Sequence, residues 1–210
     1  MKSILEKEGK KIHANLCEIS DYIYENPELG NKEFKSSEKL ISFLQDHNFE
    51  IEKEFLGIKT AFRATYDSKK EGATIGYLCE YDALPEIGHG CGHNMIGSMS
   101  AGAGIILSKV LDEVGGKIIV YGTPAEETNG AKVIFAEEGV FDELDAAMMV
   151  HPGDKTLASG KSMALYPLQF TYKGKTAHAA SCPHEGINAL NAIIQLFNGI
   201  DALRQHVTPD

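Results

Sequence analysis

The sequence is short of positive charge. Its 20 Lys and Arg face 30 Asp and Glu, a formal net charge of −10. A chain this acidic repels phosphate backbones, which argues against a nucleic-acid partner. It also has no basic block to hold it on an anionic membrane. Long apolar runs are missing too. No stretch approaches the roughly 20 residues needed to span a bilayer. The N-terminus, Met1-Lys2-Ser3-Ile4-Leu5-Glu6-Lys7-Glu8, lacks the apolar core of a signal peptide. Cysteine is sparse, with Cys17, Cys79, Cys91 and Cys182 irregularly spaced. A chain of this size does not need a disulfide framework. The expectation is a cytoplasmic protein with free thiols, one of them available as a ligand.

The remaining composition is ordinary: 210 residues, 43% hydrophobic and 24% charged, enough for one compact domain or for one domain plus part of a second. Ile12, Leu16, Ile19 and Ile23 form a helical stripe that stops before Pro27. A second helix is expected over 33–47, with Leu40, Ile41, Phe43 and Leu44 inward. Short strands follow at 49–55, 60–66 and 73–81. A Gly-rich loop over 88–97 leads into a small-residue helix at 96–110. The pattern then gives a strand at 117–121, a helix at 130–138 and a strand at 145–150. This alternation predicts an α/β fold: a mixed, mostly parallel sheet with helices on both faces. Near Ser159 the texture changes, and a strand over 163–172 and a helix over 186–205 read as the start of a second domain. The expected division is 1–160 and 161–210. One strand and one helix cannot bury a core alone, so the second domain is expected to be incomplete.

Three apolar strands run into polar residues of one kind. The strand at 73–81 leads to Asp82 and on to Cys91 and His93; 117–121 leads to Glu126 and Glu127; 145–150 leads to His151. In open α/β sheets the ligand site lies beyond the carboxyl ends of the strands, so these groups should meet in one crevice. Cys, His and carboxylates together suit zinc or a similar ion. Of two adjacent carboxylates, one can bind metal while the other moves a proton. Singly, each has a plainer reading: Cys-x-His as chance, Glu-Glu as a solvated helix start, His151 as a core histidine. Their joint placement favours a site. His178, in Gly174-Lys175-Thr176-Ala177-His178-Ala179-Ala180, is a surface histidine or a substrate-contacting one. His89 has at most a supporting role.

At these residues the chain resembles the metallopeptidase superfamily of aminoacylase and carboxypeptidase G. The resemblance is nearest the amidohydrolase branch of p-aminobenzoyl-glutamate hydrolase and the basic-residue dipeptidase. Asn26-Pro27-Glu28-Leu29-Gly30, Cys79-Glu80-Tyr81-Asp82-Ala83-Leu84-Pro85, Gly88-His89-Gly90-Cys91-Gly92-His93-Asn94, Thr123-Pro124-Ala125-Glu126-Glu127 and His151-Pro152-Gly153 carry it, with the His178 segment and Gly186-Ile187-Asn188-Ala189-Leu190. The resemblance implies two divalent ions, Zn²⁺ or Mn²⁺, held by Cys91, His93, Glu127 and His151. It implies Glu126 as general base, Asp82 as the support of a ligand, and His178 as an oxyanion-stabilising lid histidine. It further implies a small-molecule substrate, a dipeptide or N-acyl amino acid, and a homodimer formed through the lid. In the carboxypeptidase branch a ligand histidine stands where Glu80 is here, and Cys91 is expected to compensate. The family's further C-terminal ligand histidine is expected past residue 210, which suggests a truncated chain. The alternatives are a non-catalytic remnant that binds metal or a partner, and a thiol hydrolase using Cys91.

Overall fold

The computed structural model describes residues 1–158 and 166–208. It divides into two compact units, Met1–Thr156 and Leu157–Asp210. The first unit opens with α1 (Lys2–Glu25), which buries Ile19 and Ile23, the far end of its apolar stripe. Helix α2 (Phe34–Gln45) buries Leu40, Ile41, Phe43 and Leu44, as its pattern requires. Its free N–H groups meet Glu28. That carboxylate accepts from Lys35 N at 3.0 Å and from Ser36 N and Ser36 Oγ at 2.9 Å. A side-chain acceptor at a helix N-terminus contributes about 1 kcal/mol. Glu28→Ala should lower unfolding stability by about that amount in a urea titration.

Five strands form one sheet: β1 (Glu50–Lys53), β2 (Phe62–Asp67), β3 (Thr74–Cys79), β4 (Lys117–Gly122) and β5 (Ala146–Met148). Their spatial order is β1-β2-β4-β3-β5. Strand β3 pairs in parallel with β4 on one side and β5 on the other, while β1–β2 and β2–β4 are antiparallel. The sheet is therefore mixed. Alternation along β4 divides the core into two layers. Ile118 and Val120 join the layer of Leu40, Ala101 and Ile105, whereas Ile119 and Tyr121 pack with Ala131 and Phe135.

Between β3 and β4 runs α3 (His93–Val114); between β4 and β5 runs α4 (Ala131–Glu137). Helix α3 is long and apolar enough to cross a membrane by length and composition, unlike anything expected from the runs alone. Its buried residues, including Ile96, Ala101, Ile105 and Leu111, make it the core helix of this unit. Its small residues have a packing reason. A Cβ on Gly97 would lie 2.8 Å from the backbone oxygen of Glu80, so this glycine lets the helix seat directly on the end of β3.

The second unit contains α5 (Ala189–Leu203), N-capped by Asn188, whose side chain accepts from Leu190 N at 3.0 Å. None of its residues is buried. An isolated bridge links Lys175 with Ile187. The strand expected over 163–172 is corrected in part. Residues 163–165 lie outside the described residues, and 166–172 form no strand. Alternation supplies a face, but a strand also needs a neighbour to complete its ladder. Among the described residues none pairs with this segment.

Candidate metal centre

Strand β3 is flanked by β4 and β5, both later in the chain, with α3 and α4 as the connections. The crevice past its carboxyl end is the topological switch point of the sheet. Glu80 and Asp82 follow β3 directly. The loop after β4 is tied to that end, because Thr123 N and Thr123 Oγ1 donate to Cys79 O at 2.8 and 2.9 Å. That loop carries Glu126 and Glu127, and the segment after β5 carries His151.

His93 is the pivot. It opens α3 instead of lying in the preceding loop, and Gly92 caps that helix with a φ of 78°, left-handed backbone that suits glycine. The His93 ring is 1% exposed. Its Nδ1 lies 3.0 Å from Asp82 Oδ1, and Asp82 Oδ2 accepts from Glu127 N at 2.9 Å. One carboxylate thus fixes the histidine and the loop of the two glutamates. Burial pushes the Asp82 carboxyl up, but the bonds from His93 and Glu127 outweigh it and leave it below its ordinary value. Burial pushes His93 down, and the surrounding carboxylates, Asp82 first, bring it above its ordinary value.

The other ring nitrogen faces a ring of acids. His93 Nε2 is 3.3 Å from Glu80 Oε2, 3.7 Å from Glu126 Oε2 and 3.8 Å from Glu127 Oε1. His93 Nε2 and Glu80 Oε2 are both buried without a hydrogen-bond partner, so their approach lacks bonding geometry. The ring of His151 stands 6.0 Å from that of His93, nearly perpendicular at 87°. His151 Nδ1 lies 2.8 Å from Pro152 O, which leaves Nε2 free. Two groups of donor atoms lie within 4.8 Å of one another: Glu80, His93 and His151, and His93, Glu126 and Glu127. Orphaned donors aimed at one point, two imidazoles and an excess of carboxylates fit a divalent cation. Asp82→Asn should weaken zinc binding by about 10- to 100-fold in calorimetry, since it releases the ring that it orients.

The expected residues separate as follows. His93, Glu126, Glu127 and His151 come together, with Asp82 behind His93. Cys91 belongs to neither donor group. Its thiol is held by Glu127 and, with that hydrogen bond the main cause and burial next, is pushed up to about 11. A thiol protonated to that degree is a poor nucleophile, which counts against a thiol hydrolase. His89 is buried, and both of its ring nitrogens lack a side-chain partner. His178 lies in the second unit. Its Nδ1 accepts from Ala180 N and Ser181 N, both at 3.2 Å, which places the proton of a neutral ring on Nε2 as an outward donor.

Sequence reasoning missed three residues. Glu80 was read only as a replaced histidine, yet it is 1% exposed and points at His93. Lys132, at the start of α4, makes an ion pair with Glu80. Glu33 is fully buried. Its carboxylate accepts from Thr60 Oγ1 and Ala125 N, both at 2.8 Å. Ala125, next to Glu126, has a φ of 61°. Gly30 packs on it so closely that a Cβ would lie 3.1 Å from Ala125 Cα. A glycine and a glutamate from the 26–34 segment thus buttress the loop of Glu126 and Glu127. Gly30 belongs to the Asn26–Gly30 motif that carries the resemblance, but nothing in the sequence singled out this contact or Glu33.

The model of peptidase family M20/M25/M40 matches residues 62–209. The chain belongs to this family. It is 35% identical over 204 residues to the Xaa-Arg dipeptidase of Mus musculus, covering 91% of this chain and 47% of that protein. Against a p-aminobenzoyl-glutamate hydrolase subunit of Escherichia coli it is 34% identical over 210 residues, covering 90% and 43%. The M20 chain therefore spans about half the length of the curated relatives it matches. A Bacillus subtilis structure described as a dinuclear metal-binding peptidase of the M20 family superposes with a TM-score of 0.58 at 25% identity, over 66% of this chain and 42% of that one. A chain from methicillin-resistant Staphylococcus aureus gives a TM-score of 0.71 at 23% identity, over 100% of this chain and 59% of that one, which shows the shared fold. The family to which this M20 chain belongs is one of peptidases.

Proposed function

We propose that the protein hydrolyses the amide bond of a dipeptide or N-acyl, aminobenzoyl-type, amino acid in a metal-dependent reaction. The observation that carries this is the convergence of His93, Glu80, Glu126, Glu127 and His151 beyond three strand ends, with buried donors left unpartnered. Cys91, His93, Glu127 and His151 would hold two divalent ions, and Glu80 would join them. The thiol favours zinc over manganese. Bound there, the ions would supply Lewis acidity to the scissile carbonyl and to water.

Glu126 is the residue of the acidic ring left over for proton transfer. Its side chain is 39% exposed, so substrate and water can reach it. Burial first, then the charge of Glu80, raises its carboxyl above the ordinary value. That is the direction that suits a base which takes a proton from water and returns it to the leaving amine. Asp82 holds His93 and the Glu127 backbone in register. The engaged Nδ1 of His178 leaves its Nε2 as a donor, which suits an oxyanion-stabilising role.

Residues 1–160 would then belong to the metal-binding catalytic domain, and 161–210 to a lid and dimerisation domain. The exposed Ile193, Ile194 and Phe197 of α5 support a homodimer through that domain. The four free cysteines are in keeping with a reducing, cytoplasmic setting. The test is amine release from basic-residue dipeptides and aminobenzoyl-glutamate, before and after chelation. Loss on chelation and recovery with zinc is the expected result. Turnover untouched by chelator contradicts it.

A further inference from the structure

We infer that Lys132 is a built-in competitor of the metal, an ammonium that pairs with Glu80 and lowers the affinity of the centre for a divalent ion. The inference rests on the metal-centre reading above. Glu80 is a carboxylate with a side chain 2% exposed, in the company of Asp82, Glu126 and Glu127. A charge enclosed to that extent needs a cation near it. Lys132 supplies one to Glu80 Oε1, while Oε2 of the same carboxylate is left unpartnered and points at His93 Nε2, 3.3 Å away. Glu80 thus has one oxygen on the ammonium and the other turned toward His93, where it would be available to a metal ion. An ion bound to Glu80, His93 and His151 would sit one carboxylate away from a fixed positive charge.

Lys132 has room to yield. It lies at the start of α4, its side chain is 27% exposed, and Glu126 stands within its field. A four-carbon stem can carry the ammonium from Glu80 toward solvent while its methylenes stay packed. The same contact gives the enclosed Glu80 carboxylate a compensating charge. Affinity is exchanged for a centre that releases its ion more readily.

Calorimetric zinc titration of the wild-type chain, Lys132→Met and Lys132→Gln tests this, with thermal unfolding to show that each is folded. Both variants should bind zinc roughly tenfold more tightly, the scale of one unit charge removed from beside a divalent ion. In a Glu80→Gln background the gain should shrink to less than half, because the tether is gone. Wild-type-like or weaker zinc binding by both lysine variants would overturn the inference and make Lys132 a mere support of Glu80. A wild-type chain that binds no zinc would overturn the metal-centre reading itself, a different and separately recognisable result.

Discussion

Glu126→Gln is expected to lower kcat of the zinc-loaded protein by about 10²- to 10⁴-fold, the range contributed by a positioned general base. Zinc affinity should stay largely intact. The two adjacent glutamates are distinguished by their surroundings. Glu127 has its backbone fixed by Asp82 and its carboxylate on the Cys91 thiol, while Glu126 is the more exposed. A glutamine amide in place of the Glu126 carboxylate keeps the shape but cannot accept a proton. Glu127→Gln should act differently, weakening metal binding along with turnover. Steady-state kinetics on a basic-residue dipeptide, with calorimetry on the same samples, separates the two. A kcat near wild type for Glu126→Gln sinks the base assignment.

Glu33→Ala is expected to lower stability by about 2–6 kcal/mol, read from urea unfolding. The carboxylate satisfies two buried donors, and each donor left unpaired costs about 1–3 kcal/mol. The effect should extend to the reaction, because one of those donors is the N–H of Ala125, beside Glu126. A pH signature accompanies it. Burial raises the Glu33 carboxyl above the ordinary 4.5, although its hydrogen bonds pull the other way. The folded chain then holds this proton more tightly than the unfolded one. The Glu33 contribution therefore falls as pH rises through the window above 4.5, and Glu33→Ala should remove that slope. An unchanged urea midpoint would show that Thr60 and Ala125 find other partners.

Much of the first unit was legible because its signals are local. Leu40, Ile41, Phe43 and Leu44 repeat on one helix face, and Ile118 to Tyr121 run without a polar break. The meeting of Glu126, Glu127, His93 and His151 followed from strand ends in a parallel arrangement, and the β4-β3-β5 pairing provides it. Less local facts were hidden. Lys132 and Glu80 lie far apart in sequence and meet only in the fold, where the start of α4 comes beside the residue that follows β3. Glu33 stands at the entry of a helix, where a glutamate ordinarily faces water, and its burial depends on Thr60 and Ala125 arriving from elsewhere. The expected strand past 163 failed where described, because its alternation had no partner strand to pair with. The family was readable from joined motifs, each of them weak when taken singly.

The central claim is that this chain carries a metal centre built around His93. Calorimetric zinc titration of the 210-residue chain beside folded His93→Ala tests it most directly. The account predicts saturable binding by the wild type, abolished by chelator and lost in His93→Ala, which removes the donor shared by both groups. Equal zinc binding by the two proteins, or none by the wild type, would contradict it.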